Sequence, residues 1–251
     1  MNRFFIQPEY IKGKDVQFPP DLSHQIVHVL RLKAGDPVEV LDNSGKVYHV
    51  ALDIDSAEKT VQGQILDSSM TKGEPIVTIE LCVGLSHRDK FEWILQKGTE
   101  IGVSVFTPFI SSRTLVQSDE LKPKRRDRWE RIIREAAEQS GRGKLPELND
   151  PVPFSDLLQG EPSDDVLSLI AWEGKDPEES GLNDLLIGYS GVRIRLLVGP
   201  EGGFSEDEVE AALECGCQVV SLGTRILRME TAAIFFPGLV LYLVENTNQV
   251  R

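Results

Sequence analysis

The sequence predicts an α/β protein in two parts: a small N-terminal β-barrel carrying one helix, then a larger parallel sheet covered by helices. Three observations carry this expectation. At 251 residues the chain is longer than the roughly 100–150 typical of one domain. Residues 1–72 alternate apolar and polar side chains in short runs broken by turns, as antiparallel strands do. Residues 73–251 alternate continuous apolar runs with amphipathic stretches, as strands buried on both faces between helices do.

In the first part, residues 37–41, 46–52 and 60–66 read as strands, with Asp42-Asn43-Ser44-Gly45 as a turn between the first two. A helix is expected over residues 22–32, with Ile26, Val29 and Leu30 on its apolar face. The polar stretch from Asp67 to Pro75 reads as a linker. Beyond it, residues 76–83, 103–109, 166–172, 192–198 and 218–222 read as buried strands. Helices are expected over 87–102, with Phe91, Ile94, Leu95 and Ile101 at helical spacing, and over 123–141, closed by Gly141. Another spans 205–214, where Ser205 and Glu208 form a capping box, and a last one starts near Thr231 as N-cap. Pro237-Gly238 interrupts that last helix and should kink it or remove a hydrogen bond.

Composition is that of an ordinary globular protein, 40% hydrophobic and 27% charged. A net charge of −13 argues against indiscriminate coating of nucleic acid, although local basic patches decide counterion release. Such a patch exists: nine bases against four acids between Lys122 and Lys144, followed by eleven acids against Lys175 alone up to Gly191. The same spacing also allows i,i+4 ion pairs on a solvated helix. Three cysteines without a C-x-x-C, and four scattered histidines, point to neither a disulfide framework nor a metal site. No signal peptide opens the chain, and its richest apolar run, 232–244, falls short of the roughly 18 residues of a membrane span. A soluble cytoplasmic protein is expected.

Two motifs follow predicted parallel strands, where open α/β sheets place ligands. The first, Leu196-Leu-Val-Gly-Pro-Glu-Gly-Gly-Phe-Ser205, carries Gly199, Gly202 and Gly203, which permit a tight turn and close approach. It lacks the Gly-Lys-Ser/Thr of a phosphate loop and the Gly-x-Gly-x-x-Gly of a dinucleotide site, so by itself it also fits a plain strand–turn–helix connection. The second, Ser221-Leu-Gly-Thr-Arg-Ile-Leu-Arg-Met-Glu-Thr-Ala-Ala233, sets Arg225, Arg228 and Glu230 around Ile226 and Leu227. Aliphatic loops suit an adenine ring, and an arginine suits an anion forming nearby.

Together with Arg3-Phe4-Phe5, the stretch His28 to Asp36, Asp89-Lys90, Gln96 to Gly102, Arg113 and Arg134 to Arg142, these motifs resemble the knotted SPOUT-superfamily methyltransferases. The resemblance is to the bacterial RsmE family of 16S ribosomal RNA uridine-N3 methyltransferases, and it runs over nearly the whole chain. It implies a C-terminal domain with a trefoil knot, residues 73–251, and a PUA-like RNA-binding barrel, residues 1–72. It implies S-adenosylmethionine as cofactor, a homodimer, and small-subunit ribosomal RNA or the assembled small subunit as partner. Carried over by position, the cofactor residues are Ala171, Trp172, Val198, Gly199, Pro200, Glu201, Gly202, Leu222, Gly223, Ile226, Leu227, Arg228, Thr231 and Ala232.

Uracil N3 is a poor nucleophile until its proton leaves. Arg228 is the candidate for stabilising the resulting anion; Glu201 or Glu230 either takes the proton or holds Arg228. For Glu230 the plainer alternative is a charge complementing a helix dipole, and for Arg228 a structural salt bridge. Arg3, Arg31, Lys90, Lys97, Arg113, Arg134, Gln139 and Arg142 are candidate RNA contacts, against ordinary surface charge. Phe4 and Phe5 fit barrel core better than base stacking. Ribose 2′-O-methylation of another RNA and a non-catalytic ribosome-assembly factor remain as alternatives.

Overall fold

A computed structural model describes residues 1–55, 60–115, 123–159, 165–174, 181–187 and 189–247. The chain forms two compact units, Met1–Glu74 with Ala137–Leu145, and Pro75–Ala136 with Pro146–Arg251.

The first unit is built on a six-stranded sheet in the order β1 (Asn2–Phe5), β4 (Pro37–Leu41), β5 (Lys46–Asp55), β6 (Thr60–Met70), β3 (Asp15–Gln17) and β2 (Ile11–Lys12). Only β1 and β4 pair in parallel; every other neighbour is antiparallel. Its core gathers the inward-facing alternates of these strands, among them Phe4, Val16, Val38, Val40, Val50 and Val61. Phe4 meets Phe18 edge to face, and both Phe4 and Phe5 are buried, so they are packing residues. The turn between β4 and β5 needs left-handed backbone at Asn43 (φ 66°) and Gly45 (φ 94°), which Asn and Gly adopt at least cost.

Two expectations fail here for local reasons. The predicted helix is α1 (Pro20–His24) continued by a π turn, Gln25–Val29. The wider turn shifts the helical register, so Ile26 is fully buried but Val29 is exposed. The predicted linker is half strand, because Asp67–Met70 extend β6 and pair with Lys46–His49. Polar side chains there face solvent on an antiparallel edge, which composition alone cannot tell from a loop.

The second unit holds a parallel sheet in the order β10 (Val152–Pro153), β8 (Val105–Ile110), β7 (Thr78–Gly84), β12 (Arg193–Val198), β11 (Val166–Ala171) and β13 (Gln218–Val220), with β9 (Glu147–Leu148) also beside β8. Its helices are α2 (Arg88–Ile101), α3 (Pro123–Ser140, whose last turn belongs to the first unit), α4 (Phe154–Leu157), α5 (Leu182–Leu186), α6 (Glu206–Glu214) and α7 (Met229–Thr247). One core lies under α2 and α7, the other under α4 and α6 around Phe109, Phe154 and Phe204. The capping box forms as expected: Glu208 N–H donates to Ser205 Oγ at 3.2 Å and Ser205 N–H to Glu208 Oε2 at 2.9 Å.

Helix α7 runs through Pro237 and begins at Met229, two residues before the expected N-cap at Thr231. Phe236 and Val240 are fully buried. The helix packs against α2, and a Cβ on Gly238 would meet Ile101 Cγ2 at an ordinary contact distance of 3.7 Å. Tertiary burial of this helix outweighs the one backbone bond that proline withholds.

One buried charge network organises the sheet away from its C-terminal edge. Glu80 on β7 accepts from Arg193 (2.8 Å) and Arg195 (2.9 Å) on β12 and from Thr107 (2.8 Å) on β8. Burial by itself would raise its pKa, but Arg195, these hydrogen bonds and Arg193 together hold the carboxyl below the usual carboxylate range.

Candidate cofactor pocket

Strands β12, β11 and β13 are neighbours and parallel, so their C-terminal ends come side by side. A cavity of about 300 Å³ opens there, lined from β11 by Ala171, Trp172 and Glu173, from β12 by Val198, Gly199, Gly203 and Phe204, and from β13 onward by Ser221 to Leu227, Met229 and Ala232. Gly203 has φ +68°, a conformation that strains other residues, and a Cβ there would stand 3.3 Å from Glu173 Oε1. Gly223, at φ +112°, has nothing within 4 Å of such a Cβ. Ile226 is 87% exposed, a large aliphatic side chain left open beside the cavity.

Arg113 secures the turn after β12 from outside. Its Nη1 donates to the carbonyls of Gly202 and Phe204, each at 3.0 Å. A Cβ on Gly202 would come within 3.0 Å of Arg113 Cβ, and one on Gly84, at the end of β7, within 2.5 Å of the Pro200 nitrogen. These glycines are required by protein-to-protein contact. On another side of the turn, Lys90 Nζ lies 3.3 Å from Glu201 Oε1 and 4.0 Å from Glu230 Oε2. The second oxygen of Glu201, and Oε2 of Glu230, are buried without a hydrogen-bond partner. Arg228 is exposed, with no side-chain partner among the described residues.

Residues 72–241 match the family model described as an RNA methyltransferase domain, which is more than half of the chain. The chain belongs to this RNA methyltransferase family. It is 33% identical to ribosomal RNA small subunit methyltransferase E of Bacillus subtilis, over 98% of each chain. It is 34% identical to the Synechocystis protein of the same name, over 92% of this chain and 74% of that one. Among solved structures, the methyltransferase E of Neisseria gonorrhoeae bound to S-adenosyl methionine superposes with a TM-score of 0.84 at 31% identity, covering 97% of this chain and 98% of that one. A putative methyltransferase from Legionella pneumophila, in complex with the same cofactor, gives 0.81 at 29% identity, covering 96% of each chain.

In this RNA methyltransferase, eight residues expected at the cofactor line the cavity: Ala171, Trp172, Val198, Gly199, Leu222, Gly223, Ile226 and Leu227, with Ala232 a ninth. Pro200, Glu201, Gly202, Arg228 and Thr231 do not line it, although each adjoins a residue that does or sits in the same turn. Seven further lining residues were not in the expected cofactor set: Glu173, Gly203, Phe204, Ser221, Thr224, Arg225 and Met229; for all but Met229 the signal was a position within six residues of the end of a parallel strand.

The expected RNA contacts scatter. Arg142 is corrected outright: it is 2% exposed and its guanidinium forks onto Glu74 at 2.9 and 3.2 Å, so it is a buried tie of the first unit. Arg113 is committed to the turn and Lys90 to two carboxylates, as above. Lys97 pairs with Glu100 at 2.8 Å and Arg3 with Glu39. Much of the basic helix is internally neutralised, with Arg126 on Glu130 and Asp150, Arg128 on Glu92 and Arg131 near Glu135. Arg31, Arg134 and Gln139 remain exposed.

Proposed function

We propose that this chain methylates N3 of a uridine in 16S ribosomal RNA, using S-adenosylmethionine held at the C-terminal ends of β11, β12 and β13. The observation that carries this reading is the cavity itself: three parallel strand ends, two left-handed glycines and an aliphatic loop, in a chain whose relatives include a solved methyltransferase bound to S-adenosyl methionine and proteins named for ribosomal RNA. The lining fits the ligand's parts. Leu222, Ile226, Leu227 and Met229 suit an adenine face, and the Glu173 carboxylate suits a cation or ribose hydroxyls.

The bound cofactor supplies a methyl already activated by its sulfonium. The protein has the rest to do: orient the base, remove the N3 proton and stabilise the uracil anion. In this reading Arg228, exposed and without a side-chain partner among the described residues, carries the anion charge at O2 or O4. Glu201 and Glu230 each keep a buried oxygen without a partner, which supports one of them as proton acceptor through water, since neither lines the cavity.

Residues 1–72 serve in this reading as a PUA-like RNA-holding barrel and 73–251 as the knotted catalytic domain. Exposed Arg31, Arg134 and Gln139 are the RNA contacts retained. The enzyme works as a homodimer, for which the exposed Phe235 and Tyr242, seven residues apart on α7, offer an apolar stripe. No described helix is long and apolar enough to cross a membrane, and a ribosomal substrate places the enzyme in the cytoplasm. Nucleoside mass spectrometry of ribosomal RNA from cells with and without the gene tests the reaction. Loss of N3-methyluridine is expected; loss of a 2′-O-methyl nucleoside, or no change, overturns it.

A further inference from the structure

Lys90 is a candidate RNA contact from the sequence, with ordinary surface charge as the alternative, yet the fold gives it other partners. It lies in the first turn of α2, where its N–H donates to His87 O at 3.1 Å. A cation at a helix N-terminus opposes the helix dipole, and His87 provides no side-chain cap to soften it. Something nearby must offset that cost, and two carboxylates do. Glu201 belongs to the turn after β12, between cavity-lining Gly199 and Gly203; Glu230 follows cavity-lining Met229 in the first turn of α7. Nζ stands 3.3 Å from the first and 4.0 Å from the second. Glu230 is only 8% exposed, and among the described residues no other cation is paired with either carboxylate. Without that ammonium a buried Glu230 and a part-buried Glu201 would each lose the cation that offsets their desolvation.

We propose that Lys90 is a positioning residue of the cofactor pocket: its ammonium ties the 199–203 turn to the start of α7 and so fixes the spacing of two walls that lie far apart in sequence. It does not touch the cofactor, and it acts through Glu201 and Glu230. The inference rests on the reading that this cavity takes S-adenosylmethionine. It also separates Lys90 from a phosphate contact, because a lost phosphate contact lowers the salt slope of RNA binding by roughly one.

The experiment uses the full-length protein as wild type, Lys90→Met and Lys90→Arg. S-adenosylmethionine binding is measured by calorimetry, RNA binding across salt concentrations by filter assay, and amide hydrogen exchange in the cofactor-free protein. Lys90→Met should weaken cofactor binding on the order of tenfold, in keeping with removal of one partner from a part-buried charge pair. It should speed exchange in 199–204 and 229–232 together, leave β7 and β12 protected, and keep the RNA affinity and salt slope of wild type. Lys90→Arg should restore cofactor binding. Lys90→Met with unchanged exchange in both segments overturns the proposal, as does wild-type cofactor affinity with a salt slope reduced by about one. A wild-type protein that binds no S-adenosylmethionine instead refutes the pocket reading, and the exchange measurement still decides the role of Lys90.

Discussion

Gly202 and Arg113 show how one side chain's role depends on what stands beside it. The glycine was expected to make room for a ligand; it makes room for Arg113, whose Nη1 holds the carbonyls of Gly202 and Phe204. Gly202→Val should therefore push Arg113 away and loosen the turn, weakening S-adenosylmethionine binding by roughly tenfold or more while circular dichroism stays that of wild type. Arg113→Ala should move cofactor affinity the same way in calorimetry and leave the salt slope of RNA binding untouched. Arg228 should behave oppositely. With no side-chain partner to lose among the described residues, Arg228→Ala should bind cofactor and RNA as wild type does and lose on the order of 10²-fold or more in single-turnover rate, since its proposed work begins only when the uracil becomes an anion. A stability loss in that variant would mean a structural arginine.

At the scale of elements, pairing in the parallel sheet is reinforced by a buried carboxylate with part-exposed arginine partners. Glu80 joins β7, β8 and β12 through Arg193, Arg195 and Thr107. Its carboxyl is held below the ordinary range, so its contribution is fully present above about pH 4.5 and fades as pH falls through the lower folded value. Glu80→Gln should cost about 3 kcal/mol at neutral pH in urea unfolding, because two arginines lose their partner, and it should flatten the acid limb of stability against pH. An acid limb of unchanged steepness would assign it to other carboxylates. Helix α6 is pinned likewise: Glu208 caps Ser205 N–H and also accepts from Ser112 N–H at 2.8 Å. Elements were the most legible scale. The capping box, the glycine past α3 and the run of buried strands all appear where local pattern put them, because each depends on neighbours in sequence. The π turn, the polar end of β6 and the passage of α7 through Pro237 were not legible, because each is decided by what packs against it.

For the molecule as a whole, the RNA face is where charge counting misleads. Nine bases between Lys122 and Lys144 look like a basic surface, yet Arg126, Arg128 and Arg131 face acids of this chain, and Arg142 is buried against Glu74. Glu74 feels burial first, which raises its pKa, but Arg142 and the N–H groups of Gly143 and Lys144 bring it below the ordinary range. Arg142→Ala should thus destabilise the fold by about 3 kcal/mol in thermal or urea unfolding and spare RNA affinity per folded molecule. Arg134→Ala should weaken RNA binding per folded molecule and lower its salt slope by roughly one. If both variants weaken RNA binding equally at full stability, the ion pair to Glu74 yields to RNA, and the helix is the basic face after all.

The sequence by itself determined the alternation of strands and helices, the two glycine-bearing turns after parallel strands, and the family. These are written in local periodicity and in motifs whose members are near neighbours. Tertiary structure alone decided that β11, β12 and β13 lie side by side, so that Glu173 and Met229 share a wall with Gly199. It also decided that Lys90, Arg113 and Arg142 find their partners within this chain. The physical reason is that a charged side chain's role is set by the partner it finds across the fold, and spacing along the chain does not encode that partner.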